Sequence, residues 1–189
     1  MILGFDIDDV VTDSSLSMIA HAKLHETEIC KKGDILDHLP EVMRGCFPTP
    51  AVREYLNRYM GDIIANAQVK ADAPEVLRRL KAKGHQIVYV TARGEMNYPG
   101  STAVTERLIA EHRLPCDGMA FDSVDKLQDC QRLHADLLVD DSVKNCTDVA
   151  RGGIPTLLFT SVVNREEPTD IKRVENWLEL ERTIEAMVK

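Results

Sequence analysis

Met1-Ile2-Leu3-Gly4-Phe5-Asp6-Ile7-Asp8-Asp9-Val10-Val11-Thr12-Asp13 is the stretch on which the architecture turns. A short apolar run breaks into three carboxylates, Asp6, Asp8 and Asp9, as a buried strand does when it delivers acid groups to its C-terminal end. In an open parallel sheet, ligands bind beyond that end. Carboxylates so close repel one another, and only a cation, a proton or a hydrogen-bond network keeps them together.

Outward from this strand the pattern changes twice. Residues 14–72 lose strand character and offer helical patterns at 15–29, 34–44 and 50–65, the last opened by Thr49 as a cap before Pro50. Three helices without an intervening strand read as an insertion. From Asp72 and Pro74 strand and helix alternate: helix to Gly84, strand 86–90, a polar loop 92–100, helix from Ser101 or Thr102, strand 118–121, helix 126–133, strand 136–140, helix 143–151 ended by Gly152-Gly153, and strand 155–160. An amphipathic helix over 170–188 closes the chain. This order predicts an α/β fold, a Rossmann-like three-layer sandwich with a five-stranded, mainly parallel sheet.

The bulk numbers set limits. With 189 residues, 44% hydrophobic and 29% charged, the chain suits one sizeable core and a modest insertion. A formal net charge of -8 argues against a nucleic-acid polymer or an anionic membrane as partner, although a small phosphorylated ligand beside a metal ion fits. Five cysteines without CxxC pairing (Cys30, Cys46, Cys116, Cys130 and Cys146) read as free, buried thiols in a reducing compartment. With no secretory leader pattern and no bilayer-length apolar stretch, a cytoplasmic location is expected.

Three strand ends carry chemistry: Phe5-Asp6-Ile7-Asp8, Tyr89-Val90-Thr91-Ala92-Arg93 and Leu138-Val139-Asp140-Asp141-Ser142. Lys126 opens the helix before the Asp140 strand and could place a cation over the same crevice. Asp6, Asp8 and Asp140 form a hard-oxygen donor set without His or Cys, which favours magnesium over zinc. A carboxylate in such a place can attack phosphorus while a second acid protonates the leaving alkoxide. The Thr91 hydroxyl and the Lys126 ammonium would hold the phosphoryl oxygens.

The order and spacing resemble the haloacid dehalogenase (HAD) superfamily of phosphohydrolases, whose first motif, DxDx[TV], stands here as Asp6-Ile7-Asp8-Asp9-Val10. The resemblance implies Asp6 as nucleophile and metal ligand, and Asp8 as general acid/base that also offers its carbonyl to the metal. It implies Thr91 and Lys126 as the second- and third-motif residues, and Asp140-Asp141 as the fourth-motif acids, with Asp140 on Mg2+. The insertion corresponds to a small helical C1-type cap, so that 1–13 and 73–189 form the core and 14–72 the cap. Size resembles the 5'(3')-deoxyribonucleotidase-like branch, which places nucleoside 5'-monophosphates among the candidate substrates. The chain departs from a common form of that branch at Asp9 and at Thr91-Ala92-Arg93, and Arg93 is then read as an extra phosphate clamp.

The function expected is magnesium-dependent hydrolysis of a small phosphomonoester through an aspartyl-phosphate. Two alternatives stand beside it: a non-catalytic phospho-ligand-binding protein on the same fold, and a receiver-type signalling domain, in which the acids and the lysine follow a different order. Asp141 is read either as an acid one layer behind the metal or as the cap of the next helix, and Asp9 as facing away. His21 and His25, four apart, read as a solvated helix face, and Phe47, Tyr55 and Tyr59 as the insertion's own core. Val174, Trp177, Leu178, Leu180, Ile184 and Met187 make an apolar stripe that must pack on the domain or on a second copy as a homodimer.

Overall fold

The computed structural model describes residues 1–43, 49–96 and 98–188; Cys46 and Phe47 lie outside them. The strands β1 (Ile2–Phe5), β2 (Gln86–Val90), β3 (Gly118–Ala120), β4 (Leu137–Asp140), β5 (Thr156–Phe159) and β6 (Arg173–Val174) form one sheet in the order β3-β2-β1-β4-β5-β6. Every pairing is parallel.

The sheet therefore has six strands, not five. β6 pairs Arg173 and Val174 with Leu158 and Phe159 of β5, inside a stretch expected to be helical. Two residues at a sheet edge carry no periodicity to read; pairing with β5 makes the strand. The terminal helix begins only after Asn176, whose side chain accepts the Glu179 N–H at 2.9 Å.

The remaining helices are α1 (Ser14–Ile29), α2 (Leu39–Met43), α3 (Pro50–Asn66), α4 (Ala73–Ala82), α5 (Ser101–Glu111), α6 (Lys126–Arg132), α7 (Val143–Arg151) and α8 (Trp177–Met187). Alternate strand residues enter different cores. Leu3, Phe5, Ile87, Tyr89, Leu137 and Val139 join apolar residues of α4 and α8, whereas Val90 and Leu138 join Cys130 of α6 and Val149 of α7. Both faces are thus covered, the three-layer arrangement expected of parallel strands.

The stripe of α8 packs within the chain. Val174, Trp177, Leu180 and Ile184 enter the main core, while Leu178 and Met187 stay exposed. Trp177 lies 5.5 Å from the Phe5 ring and donates its indole N–H to Val10 O at 3.0 Å, tying the C-terminal helix to the loop after β1.

Helices α1 to α3, with a 3-10 turn at Leu36–His38, have a separate apolar cluster that includes Ile35, Val52, Tyr55, Leu56 and Tyr59. Thr49 caps α3 by accepting the Val52 N–H at 3.2 Å. Entry and exit of this segment run side by side: Asp13 N–H reaches Gln68 O at 2.8 Å, Lys70 N–H reaches Val11 O at 2.9 Å, and Lys70 pairs with Asp13.

Two readings from the sequence are corrected here. His25 is buried, 5.6 Å from the Tyr59 ring and 5.7 Å from Tyr55, so α1 does not present both histidines to solvent. Beside it Glu26 is buried too, accepting the N–H groups of Gly33, Ile35 and Leu36, because the following loop folds back over the helix. Cys130 and Cys146 are buried small hydrophobes, but Cys30 and Cys116 are exposed, at the end of α1 and in the loop before β3.

Candidate active site

The chain runs from β1 outward to β2 and β3, then returns to add β4, β5 and β6 on the other side of β1. The order reverses between β1 and β4, and the crevice at such a reversal is where an open α/β sheet binds ligands. Asp6 directly follows β1 and Asp140 ends β4, with the two strands in register from Leu3–Leu137 to Phe5–Val139. Thr91 follows β2 on the other flank of β1.

Lys126 joins the two acids. Its Nζ lies 2.8 Å from Asp6 Oδ1 and 3.1 Å from Asp140 Oδ2, and donates to Val90 O at 2.6 Å, with the side chain only 5% exposed. Burial disfavours the ammonium, but Asp140 and Asp6 outweigh it and hold the lysine charged, above its ordinary value. Asp6 itself is pushed up to about 7, chiefly by burial, with Lys126 opposing and the charges of Asp140 and Asp8 adding. Asp140 is fully buried and receives the Ser142 N–H at 2.8 Å and the Asn145 amide at 3.2 Å.

Asp6, Asp140 and Asp141 each bring a carboxylate oxygen within 4.8 Å of the others. Burial, then Asp9, Asp140 and Asp6, raise the Asp141 carboxyl well above the ordinary range. With all three acids ionised, one ammonium leaves negative charge over, and an all-oxygen donor set of this kind fits a hard divalent cation. Asp6 Oδ1 also makes no well-aligned hydrogen bond, although Lys126 lies close.

Asp8 is held apart from this group. Arg93 Nε reaches its two oxygens at 3.2 and 3.1 Å and Nη2 reaches Oδ1 at 2.7 Å, while Ser14 Oγ donates to Oδ1. Burial raises the Asp8 carboxyl, but the guanidinium overrides it and holds the group below the usual carboxylate range. Asp6, Asp8, Asp9 and Asp141 line a crevice of about 510 Å³, walled also by Ser14, Ser15 and Met18 of α1, and by Leu56, Met60 and Ile64 of α3.

A family model described as 5' nucleotidase, deoxy (pyrimidine), cytosolic type C protein matches residues 1–189. The chain belongs to this nucleotidase family. It is a HAD-superfamily hydrolase of the phosphatase and nucleotidase kind. No curated protein matches it in sequence. In fold it is similar to a predicted phosphatase from Clostridium acetobutylicum (TM-score 0.69, 16% identity, 98% of each chain covered). A haloacid dehalogenase-like hydrolase from Streptococcus pneumoniae gives a TM-score of 0.66 at 15% identity, over 100% of this chain and 98% of the other. A HAD-superfamily hydrolase of subfamily IA from Geobacter sulfurreducens gives 0.62 at 16% identity, over 100% and 96%.

Within this nucleotidase the residues singled out from the sequence occupy distinct places. Asp6, Lys126, Asp140 and Asp141 meet in one cluster. Thr91 is fully buried and its Oγ1 accepts the Arg93 N–H at 3.2 Å. Arg93 is not at the open crevice: its side chain is 0% exposed and committed to Asp8, with Nη1 on Thr105 Oγ1 at 3.4 Å, where a phosphate clamp was expected. Asp141 does not cap α7, since Ser142 does, accepting the Asn145 N–H at 3.3 Å.

Asp9 is buried with φ 57° and turns its carboxylate onto the Ser15 backbone N–H and hydroxyl, which shapes the turn between β1 and α1. Sequence reading missed Ser14 and Asn145, which hold Asp8 and Asp140. The positions of both were legible only as helix starts.

Proposed function

We propose that the nucleotidase hydrolyses a small phosphomonoester by nucleophilic attack of Asp6, with nucleoside 5'-monophosphates as the substrate class favoured by its family. The observation that supports this best is the junction of Asp6, Lys126 and Asp140 at the sheet's reversal, with Asp8 held separately by Arg93 beside it. Two carboxylates in different environments suit two roles. Asp6 forms the bond to phosphorus as the bond to the leaving oxygen breaks, and Asp8 passes a proton to that oxygen, taken up in the reacting complex where the negative charge of the bound ester offsets the pull of Arg93. Asp8 then removes a proton from water, which attacks the aspartyl-phosphate, frees phosphate and restores Asp6.

Lys126 favours the ionised form of Asp6 against its burial and, with Thr91, meets charge on the phosphoryl oxygens. Asp6, Asp140, Asp141 and the Asp8 carbonyl are the groups that would hold magnesium. When bound, that ion neutralises the acid cluster and the phosphate charge. We assign residues 14–72 as a cap on a core of 1–13 and 73–189. Among the described residues no helix is long and apolar enough to cross a membrane, and a cytoplasmic setting agrees with the family's cytosolic description.

The test is phosphate release from a panel of nucleoside monophosphates and sugar phosphates with and without magnesium. Turnover is expected for at least one nucleotide, only with the metal, and is abolished in a folded Asp6→Asn variant. Phosphate release by that variant at the parent rate would overturn the mechanism.

A further inference from the structure

Asp141 stands one residue beyond the last pair between β4 and β5, Asp140 with Leu158, so strand pairing does not fix it. A side chain does. Asn164, 1% exposed in the loop after β5, donates its amide to Asp141 O at 2.6 Å and to Phe159 O at 2.8 Å. Its Oδ1 accepts the Ser161 N–H at 3.1 Å and Arg173 Nη1 at 3.0 Å. Two donated and two accepted bonds use the full capacity of an asparagine amide.

The network reaches the Asp141 carboxylate as well. Ser161, whose N–H Asn164 holds, sends its hydroxyl to Asp141 Oδ2 at 3.3 Å. Among the described residues that is the only hydrogen bond on this carboxylate, whereas Asp140 has the Ser142 N–H and the Asn145 amide besides Lys126. Asp141 is thus held at two points, its carbonyl by Asn164 and its carboxylate by Ser161.

Arg173, delivered by β6, braces Asn164 from behind: its Nη2 donates to Asn164 O at 2.9 Å and to Glu167 O. Val163, Asn164 and Glu167 line the acid crevice, so the braced loop is one of its walls. A buried network with every bond made is rigid and specifies one arrangement.

We propose that Asn164 is a positioning residue that keeps Asp141 in the acid cluster, and that Ser161 carries its hold to the carboxylate. The inference rests on the reading of that cluster as a magnesium site and adds what builds it: Asp6 and Asp140 are set by their strands, Asp141 by a loop tied to β6. Asn164 acts through Asp141, not on the substrate.

Calorimetric titration of the full chain with magnesium, without substrate, reads the effect apart from turnover. Asn164→Ala is expected to weaken magnesium binding about 10- to 100-fold, the usual cost of removing a group that orients a metal ligand. Ser161→Ala, which leaves the Asn164 bridge in place, should give a smaller loss in the same direction, and Ser161→Thr should restore the parent affinity. Glu181→Gln, which loosens α8 from α4 without touching the cluster, is the control for lost stability and should bind magnesium as the parent does. Parent affinity in a folded Asn164→Ala overturns the inference; if that variant does not fold, parent affinity in Ser161→Ala does. An equal loss in Glu181→Gln overturns it too, because stability alone would then account for the effect. Crystal structures of the metal-free parent and variants separate the two readings. Asp141 displaced from Asp6 and Asp140 in Asn164→Ala or Ser161→Ala, in a parent that binds no magnesium, upholds the positioning role and strikes the metal reading. Asp141 unmoved in both variants strikes the positioning role.

Discussion

Arg93 shows at the residue scale how position changes role. From the sequence, an arginine two residues after a strand-end threonine suggested a phosphate clamp; in the fold its guanidinium is sealed beneath Asp8 with contacts to both carboxylate oxygens. A lysine would keep the charge but lose the forked contact. Arg93→Lys is therefore expected to lower kcat by about 10- to 100-fold, the scale of a misplaced catalytic group, with KM nearly unchanged. Steady-state kinetics decide it: a clamp on the substrate phosphate would show chiefly as a raised KM. Asp6, Asp8 and Asp140 could be named early because carboxylates at strand ends are conspicuous. Ser14 and Asn145 could not, since a serine or asparagine near a helix start reads first as a cap.

Among the elements, the seat of α8 on α4 is set by charge as well as by its apolar stripe. Arg79 of α4 contacts Glu181 at 2.5 Å and Lys83 contacts it at 3.0 Å. Hydrogen bonds from Arg79 pull the Glu181 carboxyl down to about 2, against burial and with help from Lys83. Its ordinary value is 4.5, so the unfolded chain takes up the proton first as pH falls. This contribution is complete above about pH 4.5 and fades as pH drops toward 2. The side chains of Arg79 and Lys83 are 36% and 45% exposed, so solvent screening keeps the gain well below what the shift alone would imply. Denaturant midpoints measured between pH 7 and pH 2.5 should fall less steeply for Glu181→Gln than for the parent chain; identical slopes would refute the link. The stripe was legible as periodicity, whereas the ion pair joins residues 102 apart and depends on the fold.

For the whole molecule, the acid cluster is where the proposed dependence on metal can be tested. Because burial pushes Asp6 up to about 7 and raises Asp141 as well, a cation bound there would displace protons from the cluster. Magnesium at millimolar concentration is expected to raise the melting temperature, by a few degrees where the metal is well above its dissociation constant. The shift should grow from pH 6 to pH 8, shrink in Asp141→Asn and vanish with chelator. Thermal scans across those conditions check it, and a melting temperature indifferent to magnesium at pH 8 would exclude the cluster as its site. The sequence by itself determined the alternation of strand and helix, the helical segment after β1, and the acids and lysine near the sheet's C-terminal edge, because hydrophobic period and helix punctuation are local properties of the chain. Tertiary structure alone decided the sixth strand, the burial of His25 and Glu26, and the commitment of Arg93 to Asp8. Each of these depends on which distant groups come to share a space, and in a sheet that adds strands on both sides of β1 the crossovers set that proximity.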